Sequence, residues 1–283
     1  MSDAVGTVQA AGREAAASSW LGSLARLGLV ARGVNYVLVG VLAVQIGTDA
    51  SGKEADRQGA LHTVSGQPGG AVIVWAIAIG FAGLTLWRLV EVLYGRPGPD
   101  GGKATKRLTS LARAIVYGVV CGSIIAFVTG SGGDRSSDEQ SKDFTARAMG
   151  HAGGRWLVLA IGTGVVVGGV VMVVNALRRR FLRNLKLGKM SESSRVLVAA
   201  FGTVGRSARG VVVGALGVFL VAAAAAYDPR KAKGLDDTLR ETASGPLGPW
   251  PLYAIALGLV AFGVFSVCEA RWRDVHPEPE TPR

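Results

Sequence analysis

Cysteine is nearly absent from this chain: 283 residues carry two, Cys121 and Cys268. Both fall inside apolar runs, which supports neither a disulfide framework nor a cysteine metal site. Histidine is almost as scarce, and His62, His151 and His276 lack ligand spacing. No zinc or haem site is expected, and no cofactor of any kind. Charged residues make up only 18% of the chain, and six stretches contain none: Gly33 to Thr48, Ala71 to Trp87, Ala114 to Gly133, Trp156 to Leu177, Gly210 to Tyr227 and Trp250 to Cys268. Each approaches the roughly 20 residues that a helix needs to cross the hydrocarbon core. Together with 49% hydrophobic residues and 41 glycines, they exclude an ordinary soluble domain and predict six transmembrane helices. The first 20 residues hold Asp3, Arg13 and Glu14 and no long apolar core, so the first span is expected to serve as the insertion signal.

A net charge of +11 would suggest nucleic acid if the chain were soluble. Its distribution argues otherwise. With the N-terminus inside, the inner segments hold 21 Lys and Arg against 9 acids, and the outer loops (49–70, 131–155, 228–249) hold 10 against 11. The inside carries +12 and the outside −1. That is the positive-inside pattern, which places both termini in the cytoplasm and makes a nucleic-acid partner the weaker reading.

The spans repeat in pairs. The first span of each pair opens on Arg followed by a small residue: Arg32-Gly33, Arg113-Ala114 and Arg209-Gly210. Tyr36 and Tyr117 follow four positions after the first two arginines, and Gly40, Cys121 and Gly217 lie eight positions after all three. The second span of each pair carries Gly80, Gly164 or Gly258, with Glu91, Asn175 or Glu269 eleven positions later. Each outer loop contains a short mixed segment (60–64, 145–149, 238–242) and ends in small residues such as Gly66-Gln67-Pro68-Gly69. A short outer helix is therefore expected before each second span.

The patterns Ala31-Arg32-Gly33 with Tyr36 and Gly40, Gly66-Gln67-Pro68-Gly69, and Leu86-Trp87-Arg88-Leu89-Val90-Glu91 resemble the repeat of a bacterial membrane-protein family catalogued as domain of unknown function 1206. The resemblance covers roughly residues 24 to 273 and departs in the second repeat, at Asn175, and in the third, at Val213 and Phe265. It implies an all-α fold of three two-helix hairpins in a bacterial cytoplasmic membrane, and assigns a fold more than a function. The expected organisation is an N-terminal segment (1–23), repeat 1 (24–96), repeat 2 (97–178), a basic linker (179–195), repeat 3 (196–273) and a disordered tail (274–283). Hairpins that all enter the bilayer in one orientation suggest a pseudo-threefold arrangement about the membrane normal.

The candidate site residues follow from the repeat. The opening Arg and the closing polar residue both lie near the cytoplasmic boundary, so Arg32 with Glu91, Arg209 with Glu269, and Arg113 with Asn175 are candidate pairs, within repeats or exchanged between them. The alternatives are that the arginines snorkel and the acids sit in the interface, or that these groups take part in transport or gating. Asn35, an amide inside the first span with no polar counterpart in the other repeats, should bond to another helix. Glycine pairs such as Gly80/Gly83, Gly118/Gly122, Gly164/Gly168, Gly214/Gly217 and Gly258/Gly263 should let backbones approach. The six tryptophans fall mostly near span ends, as in aromatic belts. The linker from Arg178 to Lys189 reads either as a solvated loop or as an interfacial helix. The helix would press Phe181, Leu182 and Leu185 into headgroups while Arg178, Arg179, Arg180, Arg183 and Lys186 meet anionic lipid.

Three functions compete at this level. A non-enzymatic scaffold, accessory subunit or lipid-binding protein, with a protein partner or as a homo-oligomer, fits features that all serve insertion and packing. A channel or carrier for a small solute or lipid along the pseudo-threefold axis is weakened by the scarcity of mid-span charge. A membrane enzyme has only the outer loop with Asp49, Glu54, Asp56 and His62 to draw on.

Overall fold

The computed structural model describes residues 19–48, 57–95, 103–131, 137–244 and 249–273. These contain nine α-helices: α1 Ser19–Gly47, α2 Arg57–Ser65, α3 Gly70–Tyr94, α4 Ala104–Val128, α5 Ser137–Met149, α6 Gly154–Leu177, α7 Glu192–Ala226, α8 Leu235–Ala243 and α9 Trp250–Trp272. Six of them (α1, α3, α4, α6, α7, α9) are long and apolar enough to cross a membrane. The chain is an all-α, multi-pass membrane protein. Helices are the answer here because hydrocarbon offers no partner to a free N–H or C=O, and an α-helix satisfies both within the segment.

Each repeat is span, short helix, span, as the outer-loop pattern predicted. α2, α5 and α8 gather at one end of the bundle, called here the short-helix end. Gly69 and Gly153, at φ 77° and 79°, make the turns into α3 and α6, a left-handed conformation that glycine adopts without steric cost. The equivalent turn of the third repeat, the outer acids Asp49, Glu54 and Asp56, and the terminal segments 1–18 and 274–283 lie outside the described residues.

The helices overrun the uncharged stretches. α7 has 35 residues and starts at Glu192, capped by the Ser191 hydroxyl accepting from Ser194 N–H. At 1.5 Å per residue it is roughly 52 Å long, against a hydrocarbon core of about 30 Å. A run of uncharged residues marks where side chains are apolar, whereas the helical ladder continues through Arg32, Arg113 and Arg209 because a guanidinium interrupts no backbone bond.

The tightest interfaces join different repeats: α6 with α7, α9 with α1, and α3 with α4. Within repeats, α1 packs on α3 and α7 on α9, but α4 and α6 have no extended contact. The spans therefore form a row, α4–α3–α1–α9–α7–α6. It curls, since Tyr117 of α4 reaches Arg32 of α1 while Arg209 of α7 lies within electrostatic reach of the same phenol. Repeat 1 packs on repeat 2, repeat 2 on repeat 3 and repeat 3 on repeat 1, and no extended contact between α4 and α6 closes the row.

At the short-helix end, α5 docks on α8. Asp138, buried, accepts from the Asp237 N–H at 3.1 Å, and Lys142 pairs with Asp237 at 2.8 Å. Burial, with Asp237 and Asp236 nearby, pushes the Asp138 carboxyl up to about 6. Folded protein then holds a proton that unfolded chain, with an ordinary Asp near 3.9, releases at lower pH. This group's contribution to stability is greatest below about pH 4 and declines as pH rises to about 6. Asp138→Asn keeps an acceptor for Asp237 N–H and removes the titration. Melting temperatures of the purified protein from pH 4 to 7 should decline less with rising pH in Asp138→Asn than in wild type; parallel curves would refute the assignment.

Candidate functional site: an arginine cluster inside the bundle

At the opposite end, the repeat's arginines meet its acids. Arg32, on α1, is 5% exposed and spends its guanidinium on three partners: Nη2 donates to Glu269 Oε2 at 2.6 Å, Nε to Ser266 Oγ at 3.2 Å, and Nη1 to Tyr117 OH at 3.2 Å. The other oxygen of Glu269 accepts from Arg273 at 2.5 Å. Glu269 thus clamps two guanidiniums while itself buried. Glu91 Oε2 accepts from Arg88 Nη1 at 2.6 Å and from Ser110 Oγ at 2.7 Å. Trp87 lies between the Arg88 and Arg273 guanidiniums, at 4.4 and 4.6 Å from its ring centroid. Cations over an aromatic face are attracted by its quadrupole, so the indole links the two ion-paired clusters.

The candidate pairs are rearranged. Arg32 pairs with the third repeat's Glu269, not with Glu91, because α1 packs on α9 and the exchange follows the interface. Arg209 does not pair with Glu269. It lies over the rings of Phe262 and Tyr36, at 5.1 and 5.5 Å, and its Nε is buried without an acceptor. Arg113 is half-buried within electrostatic reach of Tyr117. Asn175 does not reach Arg113; it accepts from Arg180 at 3.3 Å. Tyr36 packs edge-on against Phe262 at 4.7 Å. Asn35, expected to bond another helix, is half-buried and makes no side-chain hydrogen bond among the described residues.

The linker is neither an interfacial helix nor a loose loop. Two 3-10 turns, Arg180–Asn184 and Leu187–Lys189, fold it back, and Lys186 N–H donates to Trp272 O at 2.9 Å. Phe181 and Leu185 are buried in the protein, Phe181 against Phe265 at 5.1 Å, instead of entering headgroups. The apolar residues that would have suited an interface instead close the end of the bundle.

Sequence reading missed Arg88, Arg206, Arg273, Ser266 and Ser110. The signal was present for two of them: Arg88 lies three residues before Glu91 and Arg273 four after Glu269, so each closing acid has a cation on its own helix face. Arg206 carries no such mark; it stacks over Phe181 and Phe265 at 5.4 and 5.8 Å, and Phe181 is remote in sequence. In sum six arginines (32, 88, 113, 206, 209, 273) surround two carboxylates, Glu91 and Glu269. Among the described residues neither Arg206 nor Arg209 forms an ion pair. Besides Arg209 Nε, buried atoms without a hydrogen-bond partner here are Arg88 Nε and the Ser207 hydroxyl.

Comparison with known proteins agrees with this repeat structure. The model of the family described as Domain of Unknown Function (DUF1206) matches residues 27–95, 108–179 and 204–273. Uncharacterized protein YxxB of Bacillus subtilis (strain 168) is 30% identical over 250 residues, covering 88% of this chain and 90% of that protein. No solved structure matches the chain.

Proposed function

This chain belongs to the DUF1206 family, and we propose that it is a non-enzymatic membrane protein whose arginine cluster holds an anionic group of phosphate or carboxylate chemistry at the cytoplasmic face. The positive-inside balance supports that orientation, in a bacterial cytoplasmic membrane with both termini inside. One observation carries the reading: arginines outnumber carboxylates three to one in the cluster, with Arg206 and Arg209 unpaired by any acid. Buried cations persist where they are paired, and an anion from outside the chain supplies the missing charge. Arginine's planar fork suits bidentate oxyanions. Arg178, Arg179, Arg180 and Arg183, exposed at the same end, add an attractive surface for anionic lipid.

An axial channel has less support. Phe181, Phe262 and Phe265 are buried between the spans at this end, where an axial path would have to emerge.

The test compares wild type with Arg206→Gln/Arg209→Gln. Wild type should either retain an anionic molecule through purification, read by native mass spectrometry, or melt several degrees higher in inorganic phosphate than in chloride of equal ionic strength. The double variant should do neither. A wild type that does neither, or a variant that matches it, overturns the proposal.

A further inference from the structure

Resting on that reading, we infer that the anion is the headgroup of a phospholipid that enters sideways, with an acyl chain lying in the opening between α4 and α6. Every other neighbouring pair of spans in the row is packed, so this is the place where the ring can admit a molecule from the bilayer. On α6, Gly164, Gly168 and Asn175 fall on one face by helical spacing, and that face is not the one packed on α7, which is carried by Gly162, Val166 and Gly169. A Cβ added at Gly164 or Gly168 would meet nothing, and Leu157 and Ile161 beside them are 56% and 39% exposed. α6 is also the span with the smallest buried share.

The register of α6 on α7 places the two halves of the ligand at matching depths. A Cβ at Gly210 would touch the Val173 and Met172 side chains and the Gly169 carbonyl, so neighbouring Arg209 lies level with residues 169–173 of α6. Arg206 is one turn nearer the end of the bundle, level with Asn175. Gly168 and Gly164 lie one to two turns further into the membrane. A phosphate held by Arg206 and Arg209 would therefore lie level with the end of α6, and an acyl chain running from it into the membrane through the opening would reach the depth of Gly168 and Gly164. Charge selects the occupant. A zwitterionic lipid brings its own cation and leaves the excess positive charge standing, whereas phosphatidylglycerol cancels part of it.

The experiment uses the full chain in nanodiscs of phosphatidylcholine with one fifth phosphatidylglycerol. Native mass spectrometry reads retained lipid, and a parallel melt in detergent reads stabilisation by inorganic phosphate. Wild type should retain phosphatidylglycerol over phosphatidylcholine, and Arg206→Gln/Arg209→Gln should lose about tenfold in retention and its phosphate response. Gly164→Leu/Gly168→Leu should lose lipid retention yet keep the phosphate response, which also reports that it folds; either single variant serves if the double one does not. Retention unchanged in the glycine variants, with phosphate still stabilising, overturns the lateral lipid path and leaves the anion site standing. Phosphate stabilisation without lipid retention in wild type identifies a free anion and overturns it equally. Neither response in wild type overturns both readings.

Discussion

Glu269→Gln should be among the most destabilising single changes in this protein, at about 3–5 kcal/mol. The carboxylate faces Arg32 and Arg273 at 2.6 and 2.5 Å and is 5% exposed. Glutamine preserves shape and one acceptor, and the charge that balanced two buried guanidiniums disappears. The loss exceeds that of an ordinary hydrogen bond, about 1 kcal/mol net, because what remains is buried and uncompensated charge. Arg206→Gln supplies the contrast. Arg206 forms no ion pair among the described residues, and Glu269 acts on it only at longer range, so in detergent-purified protein carrying no bound anion its removal should change the melting temperature far less. Glu269→Gln should lower it by on the order of 10 °C. The measurement is the fraction of detergent-solubilised protein that stays monodisperse after heating. If Glu269→Gln and Arg206→Gln moved it equally, the distinction between ion-paired and ligand-facing arginines would be lost.

That distinction was only half legible in the sequence. The repeat's punctuation, Arg at the entrance of the first span and a polar residue at the exit of the second, put Arg32 and Glu269 at one end of the bundle, where the two side chains meet. It could not choose between Glu91 and Glu269, because which spans touch is decided by glycines in contact across repeats, and hydropathy does not report them. Six spans followed from uncharged stretches near the length that crosses the hydrocarbon core, and three short helices from the repeated mixed segments of the outer loops and their Pro/Gly ends. The linker misled for a physical reason: Phe181, Leu185 and the adjacent cations have the composition of an interfacial helix, and only the space beneath Phe265 shows that the apolar residues have a drier destination. Trp87 misled similarly. It falls near a span end like a belt residue, yet it is buried between two guanidiniums that lie 185 residues apart in sequence.

Glycine spacing was the least discriminating signal, and adjacent residues on α6 show why. Gly168 and Gly169 are indistinguishable in an apolar run of valines, and the helix turns them 100° apart. A Cβ at Gly169 would stand 2.6 Å from the Gly214 nitrogen and 2.7 Å from the Gly210 carbonyl, contacts with backbone that no rotamer change relieves. A Cβ at Gly168 meets nothing within 4 Å. Gly169→Val should therefore force α6 off α7, the largest interface in the bundle, at a cost of about 3 kcal/mol. Gly168→Val should stay within about 0.5 kcal/mol in detergent, since it touches no neighbour and replaces glycine inside a helix. Gly80 and Gly263 belong with Gly169, because Ala31 and Val37 stand in their way, while Gly122 and Gly164 belong with Gly168. The same melting assay on the two valine variants decides the matter. Equal losses would mean that Gly168 has a packing partner and that the α6 face proposed for lipid is already occupied by protein.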